Sequence, residues 1–264
     1  NPIERGWNAG MANEPQIGMA PAQARRHRQR HGGGARPRRS LRTRAHKYDV
    51  TVFGAEPRVN YDRIMLSPVL SGEKQFEQII VHDDAWYAEH HVDLRKGETV
   101  VAIDKTARSV RTQSGIVEHY DDLLIATGSR PILIPVPGAE LPGVVTFRDL
   151  DDVNTMLAAT QKGGSAVVIG GGLLGLEAAA GLKMKGMKVT VVHLMPTLME
   201  RQLDPNAAYL LQKAIEKRGI EILTSANTNA ILGEAHVTGV RLEDGRTLPA
   251  DLVGCIRSKM KVLE

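Results

Sequence analysis

Apolar and polar positions first fall into a regular pattern at Tyr48. Tyr48-Asp-Val-Thr-Val-Phe53 alternates as a half-buried strand does, and Gly54 with Pro57 stops it. Residues 62–91 carry helix and loop patterning. Short alternating stretches over residues 92–94, 98–103 and 109–112, the last closed by Ser114-Gly115, predict a small antiparallel meander. Residues 122–126 form a brief apolar strand running into Thr127-Gly128, after which Pro131, Pro135, Pro137 and Pro142 make an extended linker. Residues 150–160 have helical periodicity, with Asp149 or Asp151 as cap.

The second half has the plainest pattern. Ser165-Ala-Val-Val-Ile169 is an apolar run of the fully buried kind, residues 170–175 are a turn, 176–185 read as an alanine-rich helix ended by Gly186, and 189–192 are the next strand. This is a βαβ unit. Residues 206–218 then predict an amphipathic helix stopped by Gly219. Strands follow over 220–223, 230–232 and 237–242, and Glu243-Asp-Gly245 turns the chain before Thr247 and Leu248. Residues 1–45, by contrast, have no apolar periodicity and are predicted to lack regular structure.

Composition narrows the class. The 264 residues, 42% apolar and 24% charged, suffice for one large or two medium cores of an α/β protein. No apolar run approaches the roughly 18–20 residues of a membrane span, and residues 1–45 show no apolar signal core, so the expectation is a cytoplasmic protein with no membrane contact. A single cysteine, Cys255, excludes an internal disulfide framework, a thiolate-ligated iron-sulfur cluster and a redox-active cysteine pair. Electron chemistry would therefore come from bound organic cofactors; no metal-ligand set and no acid/base catalytic residue emerges. The net charge of +4 is uneven: residues 1–46 hold ten arginines against Glu4 and Glu14, a local +8 that leaves −4 for the rest. Without aromatic interleaving or a recognisable nucleic-acid fold, this arm is not read as a nucleic-acid tether, although ten arginines would bind phosphates in a salt-sensitive way.

Gly170-Gly-Gly-Leu-Leu-Gly175 carries the chemistry. Set between a Val/Ile strand and an alanine-rich helix, it has the context a dinucleotide site needs: Gly170 for the tight turn, Gly172 for close approach of a pyrophosphate, Gly175 for helix–strand packing, with Leu173 and Leu174 completing the cradle. The helix N-terminus then offers unpaired amides and a positive dipole end. His193, 23 residues after Gly170, occupies the place of the usual ribose-binding acid. A neutral imidazole can bond a 2′-hydroxyl and a protonated one can meet a 2′-phosphate, so NADH and NADPH both stay open. Arg201 reads as a solvated charge first and a phosphate partner second. Glu177, in the first helical turn, is either a helix-dipole partner or a carboxylate at the nicotinamide.

Three motifs in order, Glu56-Pro57 with Tyr61-Asp62-Arg63 and Leu66-Ser67, Ala126-Thr-Gly-Ser-Arg-Pro131, and Gly170 to Glu177, resemble the pyridine-nucleotide flavoprotein oxidoreductases. Val191-Val-His-Leu-Met-Pro-Thr-Leu-Met-Glu-Arg-Gln-Leu-Asp204 is most like the N-terminal flavoprotein part of the large subunit of NAD(P)H-dependent nitrite reductases. The resemblance implies a Rossmann-like two-dinucleotide fold, with an FAD domain over 46–148 and an NAD(P) domain inserted at 149–254, between the irregular stretches 1–45 and 255–264. It also implies roles: Glu56 on the FAD adenosine ribose, Arg63 at the flavin, Val100 a backbone contact to adenine, Thr127 and Gly128 the turn beside FAD, and Glu177 beside nicotinamide and flavin. Glu56 and Thr127-Gly128 also read plainly as turn residues, and Arg63 as a solvated charge. The implied activity is hydride transfer from NAD(P)H to FAD, with electrons passed to a siroheme and iron-sulfur part not present in this sequence.

Two departures bear on FAD. No GxGxxG precedes Tyr48, and the glycine-aspartate motif that completes the FAD domain does not appear, so the FAD domain is expected to be incomplete and FAD binding weak or absent. The alternative function is then a non-catalytic nucleotide-binding fragment. Ala24-Arg-Arg-His-Arg-Gln-Arg-His-Gly-Gly33 admits codons whose one-base shift reads Leu-Val-Val-Ile-Gly-Asn-Gly-Met-Ala-Gly, a strand and glycine turn. Residues before about His46 are therefore expected to be an out-of-frame translation of the FAD motif.

Overall fold

The computed structural model describes residues 22–27, 48–131, 133–256 and 260–262. They form two units, one from described residues up to 61, over 80–130 and at 262, the other from 62–79 and from 131 onward to 261. In the first, β1 (Ala22–His27) and β2 (Tyr48–Gly54) precede helix α1 (Leu66–Ser71), which belongs to the second unit. The chain returns through α2 (Asp84–Glu89), capped where Asp83 accepts from the Trp86 amide at 2.8 Å. Strands β3 (Val92–Lys96), β4 (Val100–Asp104), β5 (Ser109–Thr112), β6 (Val117–His119) and β7 (Asp122–Ile125) follow.

One sheet runs β3-β2-β1-β7, with β2 and β3 parallel and Val50 opposite Val92. Alternation along β2 sorts its side chains: Val50 and Val52 cluster with Val92, while Phe53 packs with Val100 and Val110. Two expectations are corrected here. Residues 92–94 belong to this parallel pair rather than to the meander, because Val92 is held in the Val50/Val52 cluster; the meander is β4-β5-β6. Residues 22–27, expected to be irregular, form a strand antiparallel to both β2 and β7. Backbone pairing on two sides needs no apolar period, so side-chain pattern gave no sign of it. The rest of residues 1–45 lies outside those described.

Strand β8 (Ser129–Pro131) ends the long stretch of the first unit, and the second unit continues through β9 (Val144–Val145), α3 (Leu150–Lys162), β10 (Ser165–Ile169), α4 (Leu173–Met184), β11 (Lys188–Val192), α5 (Pro205–Lys217), β12 (Glu221–Leu223), β13 (Thr228–Gly233), β14 (Val237–Leu242), β15 (Thr247–Pro249) and β16 (Leu252–Cys255). Its sheet, β12-β11-β10-β16-β9, is parallel at every pairing. Every residue of β10 after Ser165 is buried, which is why it reads as a continuous apolar run. Val167 and Ile169 share a core with Val192, Val253 and the Ile231, Val240 and Leu242 side chains of the antiparallel ribbon β13-β14-β15.

Helix α4 lies close because four of its six buried residues, Gly175, Ala178, Ala179 and Gly181, are small; the other two are Leu176 and Leu182. A Cβ at Gly181 would stand 2.8 Å from Leu70 Cγ, so this glycine is the seat for α1. That packing, and the bond from Arg63 Nη1 to the Arg148 carbonyl at 2.9 Å, groups residues 62–79 with the nucleotide-type sheet rather than with the stretch 46–148 that the sequence suggested. Of residues 255–264, expected to be irregular, Cys255 ends β16 by pairing with Ile169, and Met260–Val262 is a further strand, β17. No helix among the described residues is long and apolar enough to cross a membrane.

Candidate dinucleotide-binding site

The site grows from the end of β10. Gly170 takes φ +133°, a backbone that side chains disfavour, and its amide bonds the Val192 carbonyl at 2.9 Å, so the turn starts tied to the neighbouring strand. Gly172 is the N-cap of α4, in an extended conformation. The first helical bond runs from the Leu176 amide to the Gly172 carbonyl at 3.0 Å. The amides of Leu173, Leu174 and Gly175 thus have no helical carbonyl behind them and point out of the turn with the dipole's positive end. Helix α4 starts three residues before its predicted start, because Leu173 and Leu174 are exposed on its first turn and break the buried pattern that marks the rest.

Each motif glycine has a distinct physical reason. A Cβ on Gly175 would fall 2.0 Å from the Gly170 carbonyl oxygen, whereas a Cβ on Gly172 would meet nothing within 4 Å. The first is needed for packing. The second keeps an approach clear for an anion over the helix terminus. Gly171, which the motif leaves unspecified, is equally constrained, since its Cβ would meet Leu198 Cδ2 at 2.6 Å and His193 Cγ at 2.7 Å. The third consecutive glycine was the only sequence signal for it.

His193 corrects an expectation. It ends up 9% exposed, with both ring nitrogens engaged: Nδ1 accepts from the Gly171 amide at 3.0 Å and Nε2 lies 3.1 Å from Glu200 Oε2. Acceptance at Nδ1 assigns the ring proton to Nε2, which donates to Glu200. The imidazole therefore has no nitrogen to offer a ribose hydroxyl, and the proton on Nδ1 that a 2′-phosphate would call for conflicts with the Gly171 amide. Glu200, which sequence reasoning passed over, is the polar group at this strand end; its only signal was an acid a few residues past the strand. Arg201 is exposed.

Glu177 is half-buried and accepts from Ser67 Oγ at 2.5 Å, so it joins α4 to α1 as well as standing in the first helical turn. Within the first unit, Glu56 accepts from Tyr61 Oη at 2.7 Å and faces Arg58 Nη1 at 3.6 Å. Val100 is buried at the start of β4, and Thr127-Gly128 follows β7, with Gly128 at φ +70°. Among the described residues no group of acids, histidines and cysteine is arranged to hold a metal.

The model of the pyridine nucleotide-disulphide oxidoreductases matches residues 32–255. An NAD(P)H nitrite reductase from Bacillus subtilis (strain 168) is 48% identical over 207 residues, which are 78% of this chain and 26% of that protein. An assimilatory nitrate reductase electron transfer subunit from the same organism is 41% identical over 213 residues, 81% of this chain and 28% of that protein. Among solved structures, a ferredoxin reductase from Rhodopseudomonas palustris aligns at TM-score 0.76 and 30% identity, covering 84% of this chain and 55% of that one. The chain spans about a quarter of the length of the two curated relatives.

Proposed function

The chain belongs to the pyridine nucleotide-disulphide oxidoreductase family, and from that premise we propose that it binds NAD(P)H at the Gly170–Gly175 turn as the flavoprotein part of a nitrite reductase-like enzyme of nitrite assimilation. The observation that carries the reading is the turn itself, with amides facing outward over a clear Gly172 and a helix packed tightly through Gly175. A pyrophosphate suits that cradle in charge and in space. Glu177, on the same helix and fixed by Ser67, is the residue we assign to the nicotinamide end.

Within the first unit, FAD would be held by Glu56 at its ribose, by the Val100 backbone and by the Thr127-Gly128 turn. Bound there, FAD would supply the hydride acceptor and the one-electron donor to an electron-accepting domain or protein, while the chain's own residues would bind and orient the two cofactors and exclude water. One observation favours the second reading, a nucleotide-binding module without FAD: β1 runs antiparallel to β2, whereas a phosphate-cradling turn needs a parallel strand feeding a helix N-terminus. The flavin spectrum of the purified chain separates the two. Yellow protein that bleaches with NADH or NADPH supports the reductase; colourless protein that still binds the nucleotide supports the module; failure to bind either nucleotide refutes both.

A further inference from the structure

We infer that Glu200 is the residue that reads the adenosine ribose of the bound nucleotide, that His193 holds it there, and that the site therefore prefers NADH to NADPH. The inference rests on the nucleotide site proposed above and names its substrate.

In a doubly wound sheet the discriminating acid sits at the end of the strand beside the glycine turn. Here that position is His193, and both its nitrogens are used within the protein. It acts as a bridge. One edge is fixed by the Gly171 amide, and the other orients the Glu200 carboxylate, whose side chain is 29% exposed and so within reach of a ligand. The loop that carries Glu200 is held on the same turn. Leu198 is fully buried against Gly171, and the Met199 amide bonds the Gly171 carbonyl at 3.0 Å. Met199 takes φ +50°, and its carbonyl accepts from the amides of Gln202 and Leu203, which closes the loop round residue 200.

A carboxylate with one oxygen on His193 has a second with which to accept a ribose 2′-hydroxyl. Towards a 2′-phosphate the same charge is repulsive, and at contact distance in a partly desolvated site that repulsion is worth about a factor of ten or more in affinity. Arg201, exposed next door, is the competing cation; it lacks the tether that His193 gives Glu200.

The test is calorimetric titration of the full chain with NADH and with NADPH. NADH should bind about tenfold tighter or more. Glu200→Gln keeps one oxygen to accept from His193 and offers the hydroxyl oxygen an N–H in place of the second, but removes the charge, so NADPH should gain about tenfold while NADH changes by less than about threefold. His193→Phe should narrow the ratio in the same sense; a parallel loss of both affinities with the ratio kept would remove its positioning role. Arg201→Ala should leave the ratio unchanged, and a selective loss of NADPH binding would hand the discrimination to Arg201. Equal binding of the two nucleotides, or a ratio unmoved by Glu200→Gln, overturns the assignment while leaving the site. Binding of neither nucleotide refutes the site itself.

Discussion

Gly172 and Gly175 lie three residues apart in one turn, yet alanine at each should fail in opposite ways. At Gly175 the added methyl falls 2.0 Å from the Gly170 carbonyl oxygen, more than 1 Å inside contact distance, and 3.0 Å from its carbon, also too close. The atoms it meets are backbone, so no rotamer change relieves the overlap; α4 must lift from β10. Overpacking of this kind costs about 1–3 kcal/mol, and a unit of this size loses roughly 2–4 °C of melting temperature per kcal/mol. Gly175→Ala should therefore melt several degrees lower. At Gly172 the methyl meets no protein atom and φ is −83°, which alanine accepts. Alanine is a poorer N-cap than glycine by a few tenths of a kcal/mol to about 1 kcal/mol, and the stiffer unfolded chain returns about 0.4–1 kcal/mol. The two nearly cancel, so Gly172→Ala should melt within about 2 °C of the parent while its NADH affinity falls at least tenfold, because the methyl occupies the approach to the helix amides. Circular dichroism melts and nucleotide titrations on the two variants decide the matter. A Gly172→Ala protein that binds NADH normally would show that no pyrophosphate passes over this turn, and a Gly175→Ala protein that melts like the parent would refute the packing.

Gly181→Ala and Leu70→Ala should couple. Each alone destabilises, the first by driving a methyl to 2.8 Å from Leu70 Cγ, the second by leaving a cavity at a fully buried leucine worth about 2–5 kcal/mol; the double variant should lose less than the sum by at least about 0.5 kcal/mol in chemical unfolding, and strict additivity would deny the contact. Ser67→Ala removes the hydroxyl that Glu177 accepts and should cost about 1–2 kcal/mol in the same assay, with no change expected if the carboxylate finds water instead. Asp152 gives a pH signature. Burial, and then the neighbouring Asp149, hold its carboxyl above the usual 3.8, against hydrogen bonds from Thr146 and the Arg148 amide. The folded state thus binds this proton more tightly than the unfolded chain, so the associated stability is fully present below 3.8 and is lost as pH rises through the raised value. Relative to Asp152→Asn, the parent should gain stability on acidification through that window, and parallel pH profiles would contradict the assignment.

What was legible in the sequence depended on whether a segment declares itself through side chains. Residues 165–169 did, since a strand covered on both faces must be apolar throughout, and the observed β10 has those limits. The β14 limits, 237–242, match the strand-like stretch of the sequence, although its burial alternates only in part, Gly239 and Val240 both lying inside. Residues 92–94 alternate, but alternation does not say which neighbour a strand takes; the pairing of β3 with β2 was decided by where Val92 finds Val50 and Val52. Residues 22–27 declare nothing, being polar and basic, and enter a sheet through backbone hydrogen bonds that any sequence can make.

The glycine turn was legible for a stronger reason, namely that its residues are dictated by excluded volume. Gly175 has to be glycine because of the Gly170 carbonyl, and a rule that strict leaves a mark in sequence. Residues that act through hydrogen bonds leave a weaker one. His193 stands where the motif expects an acid, and position alone pointed to it as the ribose contact. Position could not show that its Nδ1 is spent on the Gly171 amide, nor that its Nε2 carries the function on to Glu200. The backbone of Gly171 connects the two kinds of constraint: the same missing Cβ that seats His193 and Leu198 brings the residue-200 loop over the turn. Steric necessity at residue 171 thus sets the place of a charge at residue 200, and that coupling appears only when the loop is seen folded back on the glycines.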